Sequence, residues 1–236
     1  MNLLANFFTI LSLGCGFGSI IFSLEGHFTF ASWAIIISMV FDGLDGQVAR
    51  RNPIPSEFGK ELDSLSDVVS FGIAPASLGY FFIYSRFNFL AAIILFLYLI
   101  SSVLRLAKYN ITPKEDLRHY FIGLPTTASG GILASFILVY KRYTQLPPPS
   151  ALFLVLVLVL AFLMISKIHY PNLDGLRQLF IKNKLLLFAV IFIPLTAVLG
   201  FFLFTHVILP ELIILKLFAI YLLFSPFVVK SLNTNE

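Results

Sequence analysis

The chain alternates long apolar stretches with short polar breaks, and the stretches have the length of membrane spans. The hydrocarbon core of a bilayer takes about 20 apolar residues in a helix. Eight stretches meet that size: 5–24, 28–49, 61–83, 88–107, 124–140, 150–168, 184–204 and 207–229. The breaks are at most about 16 residues long, too short for an inserted soluble domain, so the pattern predicts a single all-α membrane bundle over 1–236. The third stretch differs from its neighbours because it carries Ser64, Ser66, Ser70, Gly72 and Pro75. Polar groups at that depth need partners inside the protein, and this span is therefore expected to line a polar cavity. No internal repeat is visible, which argues against the duplicated architecture of many secondary transporters. Pro147-Pro148-Pro149 predicts a rigid turn, and the mixed basic and apolar run Leu173 to Lys184 predicts a segment lying along the membrane interface.

Composition strengthens the membrane reading. Of 236 residues, 58% are hydrophobic and 12% charged, and the mean hydropathy is +0.94, leaving too little polar material to cover a soluble domain. The net charge of +4 comes without a basic stripe or an aromatic platform, so nucleic acid is not an expected partner. Topology accounts for the excess instead, because basic residues favour cytoplasmic loops. With both termini inside, the cytoplasmic side holds Arg50, Arg51, Lys60, Arg105, Lys108, Lys114, Arg118, Lys167, Arg177, Lys182, Lys184 and Lys230, against Arg86, Lys141 and Arg142 outside. The first stretch has no basic leader or cleavage site and is expected to remain as a helix. Cys15, the lone cysteine, sits in an apolar run and reads as packing, and Gly14 and Gly18 at GxxxG spacing read as a close helix contact. His27, His119, His169 and His206 lack partners at metal-ligand spacing and are expected at interfaces or in packing.

Against this background the run from Asp42 to Asp67 stands out. Asp42 and Asp45 are three residues apart, and Asp63 and Asp67 four, so each pair shares a helix face. The pairs belong to consecutive antiparallel spans joined through 51–60, which brings four carboxylates together at the cytoplasmic edge. Ionisable groups at membrane depth are costly and mark function by default. Four like charges repel unless cations compensate, and an all-oxygen donor set suits Mg²⁺, Mn²⁺ or Ca²⁺ and not zinc. Two such ions would clamp a diphosphate during phosphoryl transfer. Gly46, Ala49 and Gly59 keep the helix surfaces open to a bulky ligand. Arg50 adds a permanent cation suited to phosphate or carboxylate. No Cys, His or Ser is placed as a covalent nucleophile, which favours a single in-line displacement.

Asp42, Asp45-Gly46, Ala49-Arg50, Gly59, Asp63 and Asp67 resemble, position by position, the signature of the CDP-alcohol phosphatidyltransferase family. The resemblance implies a membrane enzyme that displaces CMP from a CDP-linked alcohol with a second alcohol. It assigns Asp42, Asp45 and Asp63 to the metals and CDP, and Asp67 to both metal contact and activation of the acceptor hydroxyl. It also implies a divalent cofactor, Mg²⁺ or Mn²⁺, as two ions. The blocks Ser66 to Pro75, Arg105 to Asn110, Phe121 to Pro125 and Met164 to Pro171, with the early Asn6 and Thr9, look like the phosphatidylserine synthase branch. That branch implies CDP-diacylglycerol, or a related CDP-diradylglycerol, as donor and L-serine as acceptor, at the cytoplasmic face of the cell membrane. Ala5 departs from the Pro usual there and puts the start of the first helix in question. Asn6 and Thr9 are candidates for nucleotide contact or for capping that helix. Arg105, Lys108 and Ser70 are candidates for the acceptor carboxylate or the lipid phosphate, with positive-inside anchoring the plainer role for the two cations. Rival readings are another acceptor within the family, such as glycerol 3-phosphate or an inositol phosphate, and a small ion-coupled transporter. A homodimer is compatible with all of them.

Overall fold

The computed structural model describes residues 3–50, 56–83, 88–112, 120–143, 150–171 and 214–222. Its elements in chain order are α1 (Leu3–Leu24), α2 (Phe28–Arg50), α3 (Glu57–Asp67), a π-helical turn (Val68–Ile73), α4 (Ala74–Ile83), α5 (Asn88–Ile111), β1 (Tyr120–Ile122), α6 (Thr126–Tyr143), α7 (Ser150–Ile165) and β2 (His169–Pro171). Residues 214–222 are also helical. Among the described residues, four helices are long and apolar enough to cross a membrane: Leu3–Leu24, Phe28–Arg50, Glu57–Ile83 and Phe89–Ile111, with Ser150–Ile165 a shorter apolar helix. The expected seventh span, 184–204, the Leu173 to Lys184 segment and the proline turn lie outside the described residues, as does all of 207–229 but 214–222.

Packing follows an inverted polarity. The buried face of α1 is Ala5, Asn6, Thr9, Ser12, Gly16, Ser19 and Ser23, small residues recurring at helical spacing, while Leu3, Leu4, Phe7, Ile10, Phe17 and Ile21 point outward. A helix that hides its small polar face and exposes its large apolar one is adapted to lipid, where close backbone approach and interhelical hydrogen bonds hold helices together. Ser12 and Ser38 meet at 2.8 Å between hydroxyls, joining α1 to α2, and Ser70 Oγ donates to the Ser12 carbonyl at 3.1 Å. A Cβ on Gly16 would lie 2.5 Å from Ser70 Oγ, so the small-residue contact is made there. At Gly14 and Gly18, by contrast, a Cβ would meet nothing within 4 Å. The GxxxG expectation is therefore corrected: the α1 face that meets its neighbours runs through Gly16, two residues from either glycine and on a different side of the helix.

The α1–α2 turn closes on Gly26 at φ +77°, with His27 N–H donating to Phe22 O at 2.8 Å and Gly26 N–H to Ser23 O at 3.1 Å, the paired bonds of a Schellman stop. Helix α6 is enclosed by protein along most of its length: Thr126, Ser129, Leu133, Ala134, Ser135 and Ile137 are all fully buried. This explains its Thr, Ser and Gly content, since a helix with no lipid-facing side needs no apolar outer surface.

Two expectations shift. The third span, read as one α-helix over 61–83, starts at Glu57, capped by Ser56, whose Oγ accepts from Gly59 N–H at 3.1 Å, and is interrupted by the π-turn. The sixth span, read as 150–168, stops at Ile165. Ser166 Oγ turns back to the Leu163 carbonyl at 2.8 Å, and the chain then pairs with β1, Tyr120 against Pro171, Phe121 against Tyr170 and Ile122 against His169. The all-α expectation thus gains one short antiparallel ribbon, invisible to hydropathy because its strands are three residues each.

Candidate active site

Helices α2 and α3 run to the same end of the molecule and deliver the acidic pairs there. Asp42, Asp63 and Asp67 each present a carboxylate oxygen within 4.8 Å of the others. Asp67 is buried, Asp42 and Asp63 half-buried. Asp45 lies on the next turn of α2, close enough to share the electrostatic field of Asp42 and Asp63. It faces Thr9, and its Oδ2 is buried without a hydrogen-bond partner. An acceptor-only oxygen of that kind, in the field of Asp42 and Asp63 though outside the 4.8 Å group itself, fits a hard divalent cation. The donor set is all oxygen, as octahedral Mg²⁺ or Mn²⁺ sites require.

The surrounding small residues behave differently from one another. A Cβ on Gly46 would meet only Arg50 Nη2, at 3.9 Å, so that surface is open; Ala49 and Arg50 are exposed beside it. Gly59 is approached instead by Asn6 Oδ1, 3.2 Å from where its Cβ would stand. Asn6 is buried and lies, with Ala5, inside the described helix α1, so it does not cap it. Thr9 Oγ1 donates to Ala5 O at 3.1 Å, and Ser66 Oγ donates to Thr9 O at 3.1 Å. Through these contacts α1 fixes the α3 face that bears Asp63 and Asp67.

Arg105 sits on α5 with only 9% of its surface exposed. Its Nη1 donates to Thr126 Oγ1 at 3.3 Å, while Nε is buried without a partner. The guanidinium carbon lies 5.2 Å from the Tyr109 ring centre and 5.8 Å from that of Phe121, a spacing at which cation–π attraction holds it in place. Its charge acts on Asp67 and Asp42. Beside it opens a cavity of about 250 Å³ whose lining includes Arg105, Lys108, Tyr109, Thr112, Ile122 and Ser166. Lys108 is exposed. A buried guanidinium with a free donor at the wall of a cavity is equipped to bind an anion. Ser70 is not brought there: its hydroxyl is engaged with α1.

Several partners were not read from the sequence. Thr126 gave no signal, whereas Tyr109, Phe121 and Ser166 stand in blocks already singled out, and the ribbon explains why two distant blocks belong together. Lys60 Nζ donates to Asn110 O at 3.0 Å and Asn110 Nδ2 to Ser64 Oγ at 2.8 Å, tying the acidic helix α3 to the end of the helix that carries Arg105. On the ribbon, burial pushes the Tyr170 phenol up from its ordinary value.

These features define a helical membrane protein with a cage of carboxylates at one end of a span pair and a buried cation nearby. The chain belongs to the CDP-alcohol phosphatidyltransferase family, whose profile matches residues 2–166. It is 34% identical over 199 residues to a CDP-diacylglycerol–serine O-phosphatidyltransferase of Helicobacter pylori strain 26695, covering 84% of this chain and 83% of that protein. A protein of the same name from Methanocaldococcus jannaschii is 38% identical over 160 residues, 68% of this chain and 73% of the relative. An archaetidylserine synthase from Methanothermobacter thermautotrophicus is 35% identical over 178 residues, 73% and 71% of the two chains.

Proposed function

We propose that the protein transfers a phosphatidyl group from CDP-diacylglycerol, or a related CDP-diradylglycerol, to L-serine, forming phosphatidylserine and CMP. The observation that carries this reading is the cage of Asp42, Asp63 and Asp67 next to a buried guanidinium at a cavity wall, in a chain whose relatives are named for that transfer. The serine hydroxyl attacks the phosphorus that bears the lipid. A new P–O bond forms to serine as the bond to CMP breaks, and the electron pair leaves with the CMP phosphate. Asp67 takes the hydroxyl proton. Arg105 holds the acceptor carboxylate or the lipid phosphate, with Lys108 at the same cavity. The open surface at Gly46, Ala49 and Arg50, with Asn6, Thr9 and Gly59 behind it, receives the CDP moiety.

Asp42, Asp45, Asp63 and Asp67 would hold divalent ions, Mg²⁺ or Mn²⁺ and two in number, which when bound neutralise charge on the diphosphate. Around this site we infer a single domain of eight spans in the cell membrane, with both termini and the active site cytoplasmic, an arrangement compatible with a homodimer. The test is CMP release from purified protein in lipid, with serine, glycerol 3-phosphate, an inositol phosphate and water as acceptors. Serine-dependent release supports the assignment; release with glycerol 3-phosphate or the inositol phosphate and none with serine overturns the acceptor, and no release with any overturns the chemistry.

A further inference from the structure

The π-turn begins at the residue after Asp67 and is gripped from three helices. Ala74 N–H reaches back five residues to Val69 O, so one extra residue is accommodated within a turn. Every side chain beyond it is rotated by about 100° relative to an unbroken helix. Before the turn, Asp63 and Asp67 face the carboxylate cage while Ser66 grips α1, and within the turn Ser70 does the same. After it, Leu78 and Phe82 are buried in the apolar core, and Gly79 lies against Phe153 of α7 and Leu95 of α5. One span thereby serves both a polar site and an apolar core. Glycine contacts admit the neighbours: a Cβ on Gly72 would stand 3.1 Å from Ser102 Oγ on α5, and one on Gly130 of α6 would stand 3.4 Å from Phe71 Cα. Within this enclosure the hydroxyl of Tyr98, a fully buried residue of α5, donates to the Phe71 carbonyl at 3.0 Å. Four residues on stands Pro75, which has no N–H to offer the Phe71 carbonyl, so this buried acceptor at the π-turn depends on the Tyr98 hydroxyl for its partner.

We propose that Tyr98 is a positioning residue for the reaction, holding the π-turn so that Asp67 and Asp63 stay aimed at Asp42. The inference rests on the assignment of Asp63 and Asp67 to metal and catalysis made above. Tyr98 touches neither substrate nor cage; it acts through the backbone of residues 68–73. Misplacement of reacting groups from a distance of this kind lowers turnover by roughly tenfold to a hundredfold without comparable loss of substrate binding.

The experiment uses the full chain in lipid nanodiscs and compares wild type with Tyr98→Phe, which keeps the ring and deletes the hydroxyl. Ser101→Ala is the control, since it removes a hydroxyl that donates at 2.8 Å to Leu97 O within α5 itself. Mn²⁺ binding is read by electron paramagnetic resonance without substrate, and kcat and KM are measured for both substrates. In Tyr98→Phe, Mn²⁺ affinity should fall about fivefold or more and kcat about tenfold, with both KM values within about twofold. The control should match wild type. Wild-type Mn²⁺ affinity and kcat in Tyr98→Phe would overturn the proposal, as would equal losses in Ser101→Ala, which would indicate general loosening of α5. Failure of wild type itself to bind Mn²⁺ strikes the metal assignment and is distinguishable from either outcome.

Discussion

At the scale of single residues, the acidic groups divide by position. Asp67 is the most deeply placed member of the 4.8 Å cage, where an amide can keep the shape but cannot accept a proton. Asp67→Asn should lower kcat by roughly 100-fold or more while CDP-lipid binding survives, as checked by steady-state rates alongside binding of a non-reactive CDP-lipid. Asp42→Asn and Asp63→Asn should instead weaken Mn²⁺ and nucleotide affinity together with rate. Arg105 is the residue on which acceptor choice turns. Its planar fork has one donor on Thr126 and another free, and an ammonium cannot reproduce that geometry. Arg105→Lys should raise KM for serine well above any change for the CDP-lipid if the free donor meets the carboxylate. A penalty on the CDP-lipid alone would assign the guanidinium to the lipid phosphate, and unchanged constants would reduce it to an anchor.

At the scale of elements, glycines set how closely the pieces approach. Gly123 joins β1 to α6 at φ +78°, and a Cβ there would strike the Met164 carbonyl at the end of α7. Gly123→Ala should therefore cost about 1–2 kcal/mol from the backbone conformation alone, with more from the collision. Because Met164, Ile165 and Ser166 also line the Arg105 cavity, the same change should impair serine use. A lowered thermal midpoint with altered KM for serine is the expected pair of readings. Gly16 is the counterpart on the other side of the site. Its replacement by Ala would push on Ser70 at the π-turn, and the thermal midpoint in detergent should fall with it.

At the scale of the whole molecule, the inverted polarity of α1 and the enclosed α6 describe a bundle whose solvent is lipid, with its charge chemistry gathered at one end. Exhaustive chelation should abolish turnover, and Mn²⁺ or Mg²⁺ should restore it; persistence of full activity in chelator would remove the metal from the mechanism. Orientation is open to direct labelling. In a Cys15→Ser background, since Cys15 is the lone cysteine, single cysteines placed at Ser56 and at Gly26 should react from opposite sides of the membrane, with Ser56 on the cytoplasmic side.

The sequence alone determined the membrane class, the approximate extent of the described spans and which aspartates share a helix face, because each depends on local regularities. Span length is set by bilayer thickness, and two carboxylates three or four residues apart share a helix face wherever the helix lies. What only the tertiary structure decided is which faces meet and what each group then touches. The π-turn after Asp67 leaves no mark in hydropathy, since it adds one residue to a turn without changing composition. Contact through Gly16 and not through Gly14 and Gly18 depends on where the π-turn crosses α1. The pairing of 120–122 with 169–171 joins segments separated by two helices, and it places Phe121 against Arg105. Such contacts arise between elements distant in the chain, and no local pattern of residues encodes their register.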